Sequence, residues 1–362
     1  MNKMFQPVQI GSLTLKNSIV FAPTSVGREG LDFYEKIARG GAALVVLPDI
    51  SVIPSMLGAP SLDSMRFADY FRKVVEICHR YDCKVSVQLF HPEYDVEYIG
   101  GLYRQRDKIS SDEVHRLLAE NMMGYADTLS AEQTDAIVEK FAAAARNAQA
   151  VGVDMIQIHG DRLIGSFSSA LFNHRSDRYA PHTAFAEAVV KAVRAAVPEM
   201  PLDYKLTIRT EEPRLGRGGV LISEVPEFVR VLEAAGIDSY HVAIANHSNI
   251  RDTIPAANHP QLQGEGCFNH LGRAVLAVAH KPVCIVGKLQ HADAMEALLD
   301  EGFAMVGMSR QLIADPEWPN KVEAGREDTV RYCVYCNKKC VASIMTGQPV
   351  SCILWDNASD NK

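Results

Sequence analysis

Short apolar segments that alternate with helical segments constrain this chain more than any other feature. Eight such segments lie near residues 19, 44, 85, 155, 204, 240, 284 and 304, and helical stretches separate them. Apolar strands of this length pair in parallel, and helices then cover both faces of the sheet. Eight βα units over roughly 300 residues predict a (β/α)8 barrel. A doubly wound open sheet is the alternative, although no G-x-G-x-x-G follows the first segment.

Two regions depart from the alternation. Residues 5–25 predict a hairpin that turns at Gly11-Ser12, followed by a buried strand at Ile19-Val20-Phe21. Residues 92–126 do not show this alternation, which predicts an inserted loop region. We expect a TIM barrel over residues 1–325 and a short C-terminal segment over residues 326–362.

Composition narrows the function classes. The net charge of −7 gives no reason to expect a nucleic-acid partner. No apolar run is long enough to span a bilayer, so we expect no membrane association. The N-terminus has no apolar signal core, and four scattered cysteines suit buried free thiols. These features predict a protein of the reducing cytoplasm.

Four further cysteines form a compact motif near the C-terminus. The spacing is C-x2-C-x3-C-x11-C, through Cys333, Cys336, Cys340 and Cys352. Four thiolates in one short segment suit a [4Fe–4S] cluster, in which each iron takes one soft sulfur ligand. A structural zinc site is the main rival, and unligated thiols are the third reading. We expect the neighbouring lysines Lys338 and Lys339 to favour the thiolate forms.

Polar residues follow nearly every predicted strand. They are Pro23-Thr24-Ser25, Asp49, Gln88 with His91, His159 to Arg162, Lys205, Asn246-His247, Gly287-Lys288 and Ser309-Arg310. In a barrel these positions meet at the rim formed by the strand ends, where active sites lie. This convergence predicts an active site at that rim.

The last two strands predict a phosphate site, because the loops after strands 7 and 8 bind phosphate in many barrels. Gly287 permits close approach of backbone N–H groups, while Lys288 and Arg310 supply positive charge. Gln88 and Lys205 could hydrogen-bond a planar ring, and Lys205 would stabilise an anionic reduced flavin. Solvated surface cations and satisfied interior residues are the alternatives.

Six short motifs extend this interpretation over nearly the whole chain. They are Ile10-Gly11 with Leu15-Lys16-Asn17, Ala22-Pro23, Val87-Gln88-Leu89-Phe90-His91, Ile158-His159-Gly160, Asn173-His174-Arg175-Ser176-Asp177-Arg178-Tyr179, and Gly307-Met308-Ser309-Arg310 with Ala314-Asp315-Pro316. They resemble motifs of the Old Yellow Enzyme family of FMN barrels. The cysteine motif is similar to that of its iron–sulfur branch, which includes bacterial 2,4-dienoyl-CoA reductases. The resemblance implies FMN held by Ala22, Pro23, Thr24, Asp49, Gln88, Lys205, Gly287, Lys288, Ser309 and Arg310.

The chain departs from the family pattern in three places. Where the family has Val-Gln-Leu-x-His-x-Gly-Arg, this chain continues as Pro92-Glu93-Tyr94. After His159 it reads Gly160-Asp161-Arg162, without the family's proton-donating Tyr. The nicotinamide-binding half of the dienoyl-CoA reductases does not follow Cys352. The His-Gly-Asp-Arg sequence resembles that of a subgroup, the bilirubin reductases, and implies reduction of bilirubin to urobilinogen.

The resemblance implies that a hydride passes from FMN to a conjugated C=C bond. Asp161 is the candidate acid, provided that burial keeps it protonated, and Arg162 would polarise a lactam carbonyl or bind a propionate carboxylate. Alternatively, these two residues only pair with each other. His159 occupies the substrate-facing position, and His247 resembles a second catalytic His of the dienoyl-CoA reductases.

The expected partner is a small conjugated substrate, of which a tetrapyrrole is the leading candidate. NAD(P)H is expected as the indirect electron source, through a separate flavin reductase or electron-transfer protein that feeds the cluster. The rival functions are a 2,4-dienoyl-CoA or enoate reductase and a non-enzymatic electron-transfer protein.

Overall fold

A β-hairpin opens the part of the chain that the structure describes. The computed structural model describes residues 3–27, 30–55, 59–105, 107–245 and 250–358. Strand β1 (Val8–Ile10) pairs antiparallel with β2 (Leu13–Leu15). Gly11 turns the chain with a φ of 54°, in the left-handed region that glycine adopts readily. The predicted hairpin is therefore confirmed.

Eight parallel strands form a closed ring. They are β3 (Ile19–Phe21), β4 (Leu44–Ser51), β5 (Lys84–Phe90), β6 (Met155–His159), β7 (Leu202–Arg209), β9 (Ser239–Ile244), β10 (Val283–Ile285) and β11 (Met305–Met308). The two-residue strand β8 (Val220–Leu221) pairs with the end of β7. The last strand of the ring pairs with the first, with Gly307 opposite Val20. This closure confirms the predicted (β/α)8 barrel and excludes the open sheet.

Helices surround the ring. They are α1 (Leu31–Arg39), α2 (Ala68–His79), α3 (Val96–Arg104), α4 (Ser111–Thr128), α5 (Ala131–Ala150), α6 (Arg162–Phe167), α7 (Ala184–Ala196), α8 (Val225–Ala235), α9 (Ile250–Thr253), α10 (Asn269–Leu276), α11 (Ala292–Glu301), α12 (Arg310–Ala314), α13 (Trp318–Glu323) and α14 (Lys339–Thr346). In α7, Phe185, Val189 and Val193 are fully buried, as expected for the inner face of a barrel helix. No helix in the described ranges has the length and apolar character to cross a membrane.

The prediction of a loop over residues 92–126 is wrong, because this region contains α3 and α4. Asp95 caps α3 by accepting a hydrogen bond from the Tyr98 N–H, at 2.9 Å. Ser110 caps α4 in the same way. Ile99, Leu102 and Val114 form a small separate core between the helices. A core this small gives little apolar periodicity, which explains why the sequence pattern misses the helices.

The C-terminal segment packs directly against the barrel. The Val350 N–H donates to the Val26 carbonyl at 3.0 Å, and the Trp355 indole N–H donates to the Ala314 carbonyl at 3.3 Å. Cys340 and Val350 belong to the same apolar core as the barrel helices. The segment is thus held beside the ends of β3 and β11.

Candidate active site

A cavity of about 620 Å³ opens where the barrel strands end, a volume within the usual range for small-molecule sites. All ten residues predicted to bind the cofactor line it: Ala22, Pro23, Thr24, Asp49, Gln88, Lys205, Gly287, Lys288, Ser309 and Arg310. The predicted catalytic residues His159, Asp161 and Arg162 line it as well. His247 lies outside the described residues.

The first and last strands of the ring build one wall together. The Ala22 N–H donates to the Met308 carbonyl at 2.9 Å, which extends the pairing of β3 and β11 beyond the strands. The hydroxyl oxygens of Thr24 and Ser309 then lie 2.5 Å apart. Two hydroxyl groups and the adjacent backbone therefore face the cavity at this side.

The loop after β10 brings backbone close to the cavity. Gly287 has a φ of 136°, and a Cβ there would lie 2.9 Å from the Phe268 nitrogen, so only glycine fits. Lys288 is buried, and its ammonium donates to the carbonyls of Ala256 at 2.8 Å and Leu262 at 2.6 Å. Lys288 is therefore not a solvated surface cation. Its charge lies against the loop that closes this side of the cavity.

Arg310 lies between the large cavity and a second, smaller cavity, and its side chain lines both. Its guanidinium donates to the Pro255 carbonyl at 2.8 Å and to Asn337 Oδ1 at 2.7 Å, and lies 4.8 Å from the Tyr335 ring centroid. Burial lowers the pKa of Arg310, while the nearby Cys333 thiol opposes that shift. Tyr335, between two of the motif cysteines, also lines the large cavity.

The four motif cysteines line the smaller cavity together. Burial raises the pKa of Cys333 to about 11 and also raises the pKa values of Cys340 and Cys352. Lys339 lowers the pKa of Cys352, in the direction expected of a neighbouring lysine, but burial outweighs it. In the described ranges, no three His, Cys, Asp or Glu side chains gather around one point as ligands of a single metal ion would.

Lys205 projects from β7 into the large cavity. Burial lowers its pKa, while Asp49 and Asp161 act in the opposite direction. Within the described part of the chain, its ammonium makes no hydrogen bond. A positive donor is therefore directed at whatever occupies the cavity.

A chain of hydrogen bonds runs through the barrel interior from Gln88. Its amide nitrogen donates to Gln157 Oε1 at 2.5 Å, and the Gln157 amide donates to Asp203 Oδ2 at 2.6 Å. Ser239 donates to the other Asp203 oxygen at 2.5 Å. Gln88 Oε1 is thereby left as an acceptor at the cavity wall, where it receives the Asp49 N–H at 3.3 Å. Burial raises the pKa of Asp203 to about 6.

A charged cluster forms the wall between β4 and β6. Arg162 donates from Nη2 to Asp49 Oδ2 at 3.2 Å and from Nη1 to Glu93 Oε1 at 3.4 Å. His159 Nε2 lies 3.4 Å from Asp49 Oδ1. Asp49 and Arg162 both have positive φ angles, of 45° and 57°. Asp161 is buried, and its backbone N–H donates to His159 Nδ1 at 3.3 Å.

The pKa values of the two carboxyl groups beside Arg162 shift in opposite directions. Burial would raise the pKa of Asp49, but Arg162 and His159 reverse the effect and hold it well below its usual range. Burial raises the pKa of Glu93 despite the opposing charge of Arg162. Asp49 in turn raises the pKa of Arg162. Burial and Lys205 lower the pKa of His159, so its imidazole is neutral near pH 7.

Sequence reasoning missed several residues of the site. His241, on β9, lines the cavity, and burial lowers its pKa to about 3. Gln157 and Asp203 are polar residues in apolar strands, a signal that could have indicated an interior network. Glu93 lies in the loop after β5, where the sequence departs from the family pattern. By contrast, His91 is buried outside the cavity lining, with Nδ1 2.8 Å from the Pro92 carbonyl oxygen.

Fold and site together define a barrel oxidoreductase with a cavity suited to a flavin. The chain belongs to the NADH:flavin oxidoreductase / NADH oxidase family, whose model matches residues 3–329. This membership confirms the family resemblance and supports FMN and NAD(P)H as the cofactors of the chain.

Individual relatives place the chain more narrowly within the family. It is 41% identical to a bilirubin reductase of Clostridium symbiosum, over 97% of each chain. It is 36% identical to a bilirubin reductase of Mediterraneibacter gnavus, covering 97% of this chain and 56% of that longer protein. Its fold matches an Old Yellow Enzyme homologue of Zymomonas mobilis with a TM-score of 0.65 at 18% identity, over 89% and 93% of the two chains.

Proposed function

We propose that the protein reduces a conjugated C=C bond with FMN bound in the large cavity. FMN supplies the hydride when it is bound. The observation that carries this proposal is that all ten candidate FMN residues and three candidate catalytic residues line one cavity. The uncommitted ammonium of Lys205 suits an anionic ring, and Gln88 Oε1 suits a ring N–H donor. Gly287 lines the cavity without a side chain, so a bound cofactor can approach its backbone.

The similarity to known relatives supports bilirubin as the substrate of this protein. Two of them are bilirubin reductases, and one matches this chain over 97% of both lengths. Bilirubin carries conjugated C=C bonds between its rings, and their reduction leads toward urobilinogen. A cavity of about 620 Å³ gives room for a planar cofactor and part of a tetrapyrrole.

Arg162 is assigned to the substrate carbonyl. Asp49 and Glu93 already lie beside its guanidinium, so its positive charge is compensated. A compensated guanidinium binds a further carboxylate weakly, but its free N–H groups still polarise a neutral lactam carbonyl. Asp161 follows in the same loop as the candidate proton donor, and His159 is assigned to substrate orientation. His247 keeps its proposed catalytic role from the family resemblance.

The segment 326–362 is proposed to hold a [4Fe–4S] cluster through Cys333, Cys336, Cys340 and Cys352. The cluster supplies single electrons when it is bound. The four motif cysteines line one cavity, which supports this assignment. Arg310 and Tyr335 separate this site from the large cavity. We propose that a separate flavin reductase or electron-transfer protein delivers electrons from NAD(P)H.

Anaerobic turnover tests the proposed function. Protein purified without oxygen is reduced chemically and mixed with bilirubin, cinnamate or an enoyl-CoA, and the products are separated by chromatography. The proposal requires consumption of bilirubin and appearance of urobilinogen. Turnover of cinnamate or enoyl-CoA alone would instead identify an enoate or dienoyl-CoA type of reductase, and no turnover of any acceptor would favour electron transfer alone.

A further inference from the structure

Glu93 is buried next to the large cavity but does not line it. Its side chain is 3% exposed, whereas that of Arg162 is 27% exposed and lines the cavity. Glu93 Oε1 lies 3.4 Å from Arg162 Nη1. A buried carboxyl group beside a guanidinium that faces the cavity can act on a bound molecule only through that guanidinium.

The backbone at Arg162 needs external support. Its φ of 57° is a left-handed conformation, which is strained for a residue other than glycine. The Leu163 N–H donates to the His91 carbonyl at 3.3 Å, which ties the start of α6 to the loop after β5. The same loop carries Glu93. One loop therefore fixes both the backbone and the side chain at this position.

The two carboxyl groups beside Arg162 fix the orientation of its guanidinium and compensate its positive charge. Asp49 contacts Nη2 and Glu93 contacts Nη1, which occupies two of the five N–H donors of the guanidinium. An incoming carboxylate would meet the carboxyl groups that already lie beside the guanidinium, but a neutral carbonyl oxygen would not be repelled by them.

We propose that Glu93 is a positioning residue that holds Arg162 as a charge-compensated donor to a neutral carbonyl group of the substrate, not to its carboxylates. For the identity of the substrate this proposal rests on the proposed function. It explains why a buried acid lies in the loop after β5. The chain departs from the family pattern both in that loop and after His159, and Glu93 and Arg162 bring these two places into contact.

Substitutions at Glu93 test the positioning role. Glu93→Ala is expected to lower kcat for bilirubin at least about tenfold with less than about threefold change in KM, because a directed donor acts mainly on the transition state. Glu93→Gln keeps an acceptor oxygen for Arg162 Nη1, and Asp49 still compensates the guanidinium charge, so this variant should stay within about threefold of the wild type. Glu97→Ala, at an exposed position on α3, is the matched control. Equal activity of Glu93→Ala and wild type would overturn the proposal.

Bilirubin dimethyl ester tests which group Arg162 recognises. The ester keeps both lactam carbonyls but has no carboxylate, so the Glu93→Ala loss should agree for ester and diacid within about twofold. A loss confined to the diacid would overturn the carbonyl assignment. If Glu93→Ala folds poorly, the same comparison is made with Glu93→Asp, whose shorter side chain retains the charge but loses reach.

Failure of the proposed function has a different signature. Wild-type protein would then reduce neither the diacid nor the ester. Glu93 is tested in that case by crystal structures of the wild type and of Glu93→Ala. A displaced guanidinium supports the positioning role, and an unmoved guanidinium overturns it.

Discussion

Arg162 shows how much of the proposed chemistry depends on single side chains. Its left-handed backbone aims the guanidinium into the cavity, and Asp49 and Glu93 compensate its charge. Because the contacts at 3.2 and 3.4 Å are made in a partly buried wall, solvent screens them less than surface ion pairs. The residue combines fixed orientation with free donors, which is what polarisation of a carbonyl group requires.

Arg162→Ala is predicted to lower kcat for bilirubin reduction by at least about 100-fold, because a preorganised donor of this kind is worth about 3 kcal/mol. FMN should remain bound, since the other lining residues are unchanged. Steady-state kinetics and the flavin absorbance of the purified variant measure the two effects. Arg104→Ala, at an exposed position of α3, is the control. Wild-type turnover in the Arg162 variant would contradict the assignment.

The raised pKa of Asp203 predicts that the stability of the protein depends on pH. Its pKa is about 6 in the folded protein, against 3.8 as the ordinary value, so between these pH values the folded state keeps a proton that the unfolded state has lost. Stability therefore falls as pH rises from about 4 to 6, and the deficit near pH 7 is about 3 kcal/mol. Asp203→Asn should remove this fall.

Urea denaturation of wild type and Asp203→Asn at pH 4, 5, 6 and 7 measures the difference. Relative to the wild type, the free energy of unfolding of the variant should rise by about 2 kcal/mol between pH 4 and pH 7, because this window contains most of the titration. Asp69→Asn, at an exposed position on α2, should run parallel to the wild type. A constant offset between Asp203→Asn and wild type at all four pH values would reject the raised pKa.

At the scale of elements, most of the candidate active site could be predicted because its residues lie at the ends of the barrel strands. Each candidate FMN residue lies near the end of a barrel strand or just after it, so locating the strands also located residues such as Gln88, Lys205 and Gly287. Helices α3 and α4 were missed because their core is small and local. Glu93 and His241 were missed because their roles depend on loop geometry and on strand orientation, which a periodic pattern does not contain.

The C-terminal segment is the element whose chemistry is most open to a direct test. Cys340→Ser is predicted to reduce iron from about four atoms per chain to near zero, because each cluster iron requires its own thiolate. Flavin content should be retained, since FMN is assigned to the barrel cavity. Iron analysis and absorbance spectra of anaerobically purified protein provide both readouts.

Cys83→Ala is the matched control for that substitution, because Cys83 is buried just before β5 and is not one of the motif cysteines. Its iron content should equal that of the wild type. Zinc in the wild-type protein in place of iron, or full iron content in Cys340→Ser, would contradict the proposed cluster.

At the scale of the whole molecule, two cavities share one wall. Arg310 lines both, and its guanidinium lies 4.8 Å from the ring centroid of Tyr335, a residue of the cysteine motif. The C-terminal segment is packed into the apolar core of the barrel through Cys340 and Val350. Electrons entering at the cysteine motif would therefore be delivered beside the flavin cavity, without movement of a separate domain.

The proposed indirect supply of electrons leads to a further prediction. With NADH alone, purified protein is predicted to reduce bilirubin at less than about a tenth of the rate reached when a separate flavin reductase is added, because a cluster accepts single electrons and not hydride. Anaerobic assays with and without the added reductase measure the ratio. Full turnover with NADH alone would contradict an indirect electron supply.

Reoxidation of the reduced flavin tests the central claim most directly. Protein is reduced anaerobically, mixed with bilirubin in a stopped-flow instrument, and followed by the absorbance of oxidised flavin. The account predicts rapid return of that absorbance with bilirubin, at a rate no slower than kcat. A flavin that stays reduced in the presence of bilirubin, but is reoxidised by cinnamate or an enoyl-CoA, would contradict it.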